Sequence, residues 1–155
     1  MNVPLLDLVA QYQSIKDAVL PAMMAVIERQ GFIMGAEVGE LESAVAKISG
    51  AKHGIACASG TDALLLPLKA MNLQPGDEVI TTPFTFFATA EAIAYVGARP
   101  VFVDIEAETF NIDPALIEKA ITPRTRAIIP VHVFGLSANM TEIMQLGTRP
   151  HIAVL

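Results

Sequence analysis

Along the first fifty positions apolar residues recur at helical spacing. Ile15, Val19, Met23, Val26 and Ile27 share one face of a helix predicted from about Gln11 to Gln30, which Gly31 stops. Leu41, Val45 and Ile48 mark one side of a second helix, predicted from about Val38 to Ile48 and closed by Gly50. Ahead of both, Val3 to Leu8 reads as a short extended start. From Gly54 the rhythm changes to short apolar runs alternating with helical stretches. Strands are predicted at Gly54–Ala58, Glu78–Thr81, Arg99–Asp104, Thr125–His132 and from His151 to Leu155. Helices are predicted from Ser59-Gly60-Thr61 to about Met71, from Thr85 to Val96, from Asp113 to about Ala120, and from Glu142 to about Gly147. Asp113-Pro114 is a start signal in its own right, an N-cap carboxylate followed by proline at the first helical position. Such alternation predicts an α/β fold, a mostly parallel sheet flanked by helices on both faces. Short linkers and the absence of repeats or low-complexity tracts mark no internal domain boundary.

Composition adds one tension to this picture. Apolar residues make up 53% of the 155 and charged residues 17%. Disorder is excluded, since such a chain can bury ample apolar surface. The excess is high for a small free-standing body, which has much surface to cover with polar groups. Either it belongs to an Ala-rich core, or it is surface meant to be covered by a partner or by another part of the same protein. A net charge of −6 with scattered Lys and Arg argues against nucleic-acid binding. The single cysteine, Cys57, allows no internal disulfide and suits a reducing compartment. Its neighbours make it a small core residue at a strand end. The start has no basic region ahead of an apolar run, and no apolar stretch reaches the ~20 residues of a membrane span, so a cytoplasmic location is expected.

Open parallel sheets bind ligands beyond the carboxyl ends of their strands. Four groups fall there. Ser59-Gly60-Thr61-Asp62-Ala63 joins a strand to a helix: glycine admits close approach, the first-turn N–H groups point outward, and threonine adds a hydroxyl donor. Chemically this is an anion cradle, though such a segment is more often an ordinary strand-to-helix turn with Ser59 or Thr61 as N-cap. Thr82-Pro83-Phe84-Thr85-Phe86-Phe87 follows the next strand, and one of its aromatics could stack on a flat heteroaromatic ring. Asp104 ends the third strand, where a carboxylate commonly caps a turn. His132 ends the fourth, facing the expected crevice. No metal-ligand set is assigned.

Taken together, in order, these segments resemble the DegT/DnrJ/StrS family of sugar aminotransferases, fold-type I enzymes that use pyridoxal 5'-phosphate (PLP). The resemblance rests on Pro4-Leu5-Leu6-Asp7-Leu8, Gly31-Phe32-Ile33-Met34-Gly35, Glu37-Val38 and Glu40-Leu41-Glu42, Ser59 to Leu64, Pro75 to Ile80, Phe84-Thr85-Phe86 with Ala88-Thr89, Gly97 to Asp104, Thr122 to Arg126, and Val131 to Gly135. It implies that Gly60 and Thr61 hold the PLP phosphate, that Phe86 stacks on the pyridine ring, and that His132 lies near cofactor and substrate. It further implies a nucleotide-linked keto sugar as substrate, glutamate as amino donor, and a homodimer whose interface Gly31 to Gly35 would line. Residues 1–155 would then be the N-terminal portion of the PLP-binding large domain, a helical segment over 1–50 and an incomplete sheet over 51–155, without the C-terminal small domain.

Two residues that make PLP reactive are expected beyond Leu155: the Asp that pairs with the pyridine nitrogen and the Lys that forms the Schiff base. Lys16, Lys47, Lys52, Lys69 and Lys119 stand in other contexts, so no catalytic residue is assigned. In the family's sheet the strand carrying the phosphate loop pairs with strands from later in the chain. The segment near Ile55 is therefore expected to lack partners, and PLP binding by the chain as it stands is expected to be weak or absent. Pro67 interrupts the helix after the loop, at a cost of ~3 kcal/mol. The leading reading is an aminotransferase cut short. The alternatives are a non-catalytic fragment that binds a partner or a decayed gene product, and a fragment of a PLP-dependent sugar dehydratase.

Overall fold

A computed structural model describes residues 5–149 and 151–155; the extended start expected at Val3 and Pro4 lies outside them. The chain forms two compact units that divide between Ala56 and Cys57, six residues beyond the border drawn from the sequence.

The first unit is helical. α1 (Leu8–Arg29) starts earlier than its apolar periodicity suggests because Asp7 caps it, its side chain accepting from the Ala10 N–H at 2.9 Å. It ends at Gln30, whose φ of 56° turns the chain out of the helix. Pro21 lies inside α1 without ending it. α2 (Ala36–Ser49) ends at Gly50, where φ is 67° and the next N–H, that of Ala51, returns to the Ala46 carbonyl at 2.9 Å.

Gly54–Ala58, predicted as a strand, is not one. No strand among the described residues pairs with it, and Ile55 is 81% exposed. An apolar run becomes a strand only where a neighbour satisfies its backbone. Residues 54–56 instead lie against α2: the Ala56 N–H donates to Glu42 Oε1 at 2.8 Å. Gly54 is required there, because a Cβ on it would come 2.3 Å from the Glu42 carbonyl oxygen. Cys57 is exposed and donates to the Ser59 carbonyl at 3.3 Å, where a small core residue was expected.

The second unit holds the sheet. Its helices and strands run α3 (Gly60–Ala70), β1 (Glu78–Thr81), α4 (Ala88–Tyr95), β2 (Arg99–Phe102), α5 (Pro114–Ala120), β3 (Thr125–Ile128), α6 (Met140–Leu146) and β4 (Ala153–Val154). The strands order β2-β1-β3-β4, all parallel. β1 is central and buried at all four positions. Successive side chains point to opposite faces, so Val79 and Ala127 join Leu68 of α3 and Ala92 and Ile93 of α4 in one core. Ile80 and Ile128 join Ile117 of α5 and Ile143 of α6 in the other. Helices thus cover both faces. Pro67 is accommodated within α3, whose course continues to Ala70. β3 is shorter than predicted: Ile129 still donates to the Ile80 carbonyl at 2.8 Å, and Pro130, lacking an N–H, ends the ladder.

Much of the apolar excess is on the surface. Ile15, Met23 and Ile27 of α1 and Phe86, Phe87 and Phe134 of the second unit are all exposed. No helix among the described residues is long and apolar enough to cross a membrane.

Candidate functional site

α4 connects the parallel strands β1 and β2 and so runs back against them, its N-terminus at the edge where they end. Lys69 in the last turn of α3 lies over the Tyr95 ring at the end of α4, so α3 runs alongside and its N-terminus comes to that same edge. Ser59 caps it, its hydroxyl accepting from the Asp62 N–H at 3.1 Å and bonding to Asp62 Oδ2 at 3.1 Å. Ala63 N–H reaches the Ser59 carbonyl at 3.0 Å. The N–H groups of Gly60 and Thr61 are the first-turn donors without an intrahelical acceptor. Gly60 has nothing within 4 Å of where a Cβ would stand. Gly60 is exposed and Thr61 half-buried, so the end of the helix is open to a ligand. Two free donors, a hydroxyl and the positive end of the helix dipole suit a phosphate.

At the same edge Thr81 locks β1 to β3, its buried hydroxyl donating to the Ile129 carbonyl at 2.9 Å. The chain leaving β1 turns at Thr82, whose hydroxyl accepts from the Phe84 N–H at 3.1 Å. Thr85 to Phe87, predicted as the first turn of α4, stays outside the helix. This places Phe86 in the open, 81% exposed. Pro83, Phe84, Thr85 and Phe86 from this loop and Val131, Val133 and Phe134 from the loop after β3 line one apolar pocket of about 470 Å³. Phe84, Phe110 and Phe134 form a ring cluster, with centroids 5.9, 6.2 and 6.5 Å apart. Phe110 and Phe134 hold φ of 59° and 52°, a region that costs bulky residues about 1–3 kcal/mol and that concentrates at ligand sites.

His132, exposed, lies between two of the pocket's lining residues and accepts the Ala138 N–H on Nδ1 at 3.1 Å. With Nδ1 an acceptor, the proton of the neutral ring is on Nε2. Phe86 and the His132 segment are thus brought to one pocket; Gly60 and Thr61 stand at the same sheet edge but do not line it. Asp104 is exposed and its Oδ1 accepts the Ile105 N–H at 2.8 Å, a turn contact. Sequence reasoning missed Asn111 and the Phe84–Phe110–Phe134 cluster, whose members come from three separate loops.

A larger cavity, about 630 Å³, opens at the other end of the sheet among Met71, Leu73, Gln74, Asp77, Arg126 and His151. No Phe or Tyr lines it, and its Arg126 is paired with Asp77 at 3.1 Å. Near it, at the first residue of β1, Glu78 is buried against Thr122, Arg124 and Arg99. The Thr122 hydrogen bond, with the two guanidinium charges, holds its carboxyl below the ordinary 4.5 against the opposing effect of burial. Lys69 and Lys119 lie in the last turns of α3 and α5, away from the α3 N-terminus.

Residues 13–155 match the DegT/DnrJ/EryC1/StrS aminotransferase family. The chain belongs to that family. Its DegT/DnrJ/EryC1/StrS relatives include a pleiotropic regulatory protein of Geobacillus stearothermophilus, 50% identical over 155 residues, all of this chain and 42% of the relative. They include also the UDP-N-acetyl-3-dehydro-alpha-D-glucosamine 3-aminotransferase of Acidithiobacillus ferrooxidans, 48% identical over 99% of this chain and 42% of the relative. The chain therefore spans about two fifths of the length of these curated relatives. Among solved structures, ntda of Bacillus subtilis with bound cofactor PMP superposes with a TM-score of 0.89 at 36% identity, over 99% of this chain and 35% of that one.

Proposed function

We propose that this chain forms the phosphate-holding and ring-facing part of the PLP site of a nucleotide-sugar aminotransferase. The open N-terminus of α3, at the sheet edge that also carries the pocket lined by Phe86 and Phe134, supports this reading most. Gly60 and Thr61 would hold the cofactor phosphate through their N–H groups and the Thr61 hydroxyl. Phe86 would lie against the pyridine ring, and His132 would present Nε2–H to cofactor or substrate. When bound, PLP supplies an electron sink that lets a proton leave the carbon beside an amino nitrogen. The part played by these residues is to bind and orient it.

In the whole enzyme the reading is amino transfer from glutamate to a nucleotide-linked keto sugar, in a cytoplasmic homodimer. Lysine and aspartate from outside this stretch would act on the ring, consistent with the placement of Lys69 and Lys119 away from the cradle. On this reading residues 1–155 are the N-terminal portion of the PLP-binding domain.

The test is titration of the ¹⁵N-labelled chain with PLP and, separately, with pyridoxal, which lacks the phosphate. Weak PLP binding that shifts the Gly60 and Thr61 amides, absent with pyridoxal, is the expected result. Shifts confined to other residues, or equal for both compounds, would remove the phosphate assignment.

A further inference from the structure

Asn111 is 2% exposed, and the reading above gives it no role. Its Oδ1 accepts the Val133 N–H at 3.1 Å, and its Nδ2 donates to the Leu136 carbonyl at 3.3 Å. Between those contacts lies the tight turn Val133–Gly135, which follows His132 directly and includes Phe134 with its positive φ. Just beyond the turn, Ala138 N–H donates to His132 Nδ1. The carboxamide therefore ties both ends of the turn, and the far end carries the donor that engages the imidazole.

Asn111 is itself fixed. Its N–H donates to Thr109 Oγ1 at 3.2 Å, its carbonyl accepts the Glu106 N–H at 2.9 Å, and Ile105 bridges Ile112 beside it. Thr109 Oγ1 in turn donates to Glu106 Oε2 at 2.7 Å. A carboxamide is the side chain that both accepts and donates across such a span, and leaving either end unpaired in a buried site is costly.

We propose that Asn111 is a positioning residue for His132: by closing the 133–136 turn it brings Ala138 N–H onto Nδ1 and keeps the ring proton on Nε2, the nitrogen left for a ligand. What His132 then serves rests on the PLP reading; the clamp does not.

Long-range ¹H–¹⁵N correlation of the imidazoles, recorded at a pH where they are neutral, tests it. In the native chain His132 is expected as the Nε2–H tautomer. Asn111→Asp keeps the shape and the acceptor but loses the donor to Leu136, and the tautomer ratio should fall about fivefold, the weight of one hydrogen bond. Asn111→Ser, too short to span the turn, gives the same reading where the aspartate is not tolerated. Ile93→Val thins the core on the opposite face of the sheet and touches neither Asn111 nor the turn; it should lower the unfolding midpoint and leave the tautomer ratio as it was. An unchanged ratio in the Asn111 variants, or an equal change in Ile93→Val, overturns the proposal. Because no cofactor is added, failure here leaves the PLP reading standing, and failure of the pyridoxal comparison leaves the clamp standing.

Discussion

Replacing Glu78 by glutamine separates the charge of a buried carboxylate from its shape. The side chain is 2% exposed and receives Thr122 Oγ1 at 2.5 Å and Arg124 Nη2 at 3.0 Å, with Arg99 Nη2 at 4.0 Å. The two arginines are 61% and 66% exposed, so their Coulombic share is screened and small, each about 0–1 kcal/mol. The Thr122 bond lies on the buried side, and a hydrogen bond to a charged group is worth about 1.5–3 kcal/mol. Glutamine keeps one acceptor and turns an NH₂ donor toward a remaining donor. Glu78→Gln should therefore cost about 2 kcal/mol, a drop in Tm of about 8–15 °C for a unit of this size. The folded carboxyl titrates below its ordinary 4.5. Its stabilisation is thus complete above that value and is lost as pH falls through the folded pKa. Thermal unfolding followed by circular dichroism from pH 7 down to pH 3 should show native and variant well apart at neutral pH and converging in acid. Equal Tm at pH 7, or a gap that persists unchanged in acid, would mean that the charge on Glu78 does not stabilise the fold.

Two further substitutions probe the backbone. Gly54→Ala places a methyl 2.3 Å from the Glu42 carbonyl oxygen; it should destabilise the first unit by about 1–3 kcal/mol, read as faster hydrogen exchange at the Ala56 amide. Pro67→Ala restores an N–H inside α3, and although it also frees the unfolded chain, the net should be a gain of about 1–2 kcal/mol in urea unfolding. A loss of stability would mean that the half-buried proline ring contributes more to packing than its missing hydrogen bond costs.

The parts of the fold legible in the sequence are those fixed by local chemistry. Glu78–Thr81 was bounded by a Pro-Gly turn before and a Thr-Pro break after, and α5 was announced by Asp113-Pro114. Gly54–Ala58 has the composition of a strand but does not form one, because a strand is a property of a pair and composition cannot supply the partner. Thr85–Phe87 stays outside the helix that its sequence predicts; the Thr82 hydroxyl, bonded to the Phe84 N–H, holds the chain in a turn first. In the candidate site, Gly60 and Thr61 carried a signal of residue type beside a strand-to-helix break. Asn111 carried none: nothing in Thr109-Phe110-Asn111-Ile112 reveals that its carboxamide closes a turn 22 residues away. The aromatic cluster was hidden for the same reason.

A crystal structure of the chain grown with PLP decides whether the first turn of α3 receives the cofactor phosphate. The phosphate is expected on the Gly60 and Thr61 N–H groups with the ring beside Phe86. A phosphate bound instead in the cavity of Arg126 and His151 at the opposite end of the sheet, with the α3 N-terminus bare, would take the cofactor away from this helix.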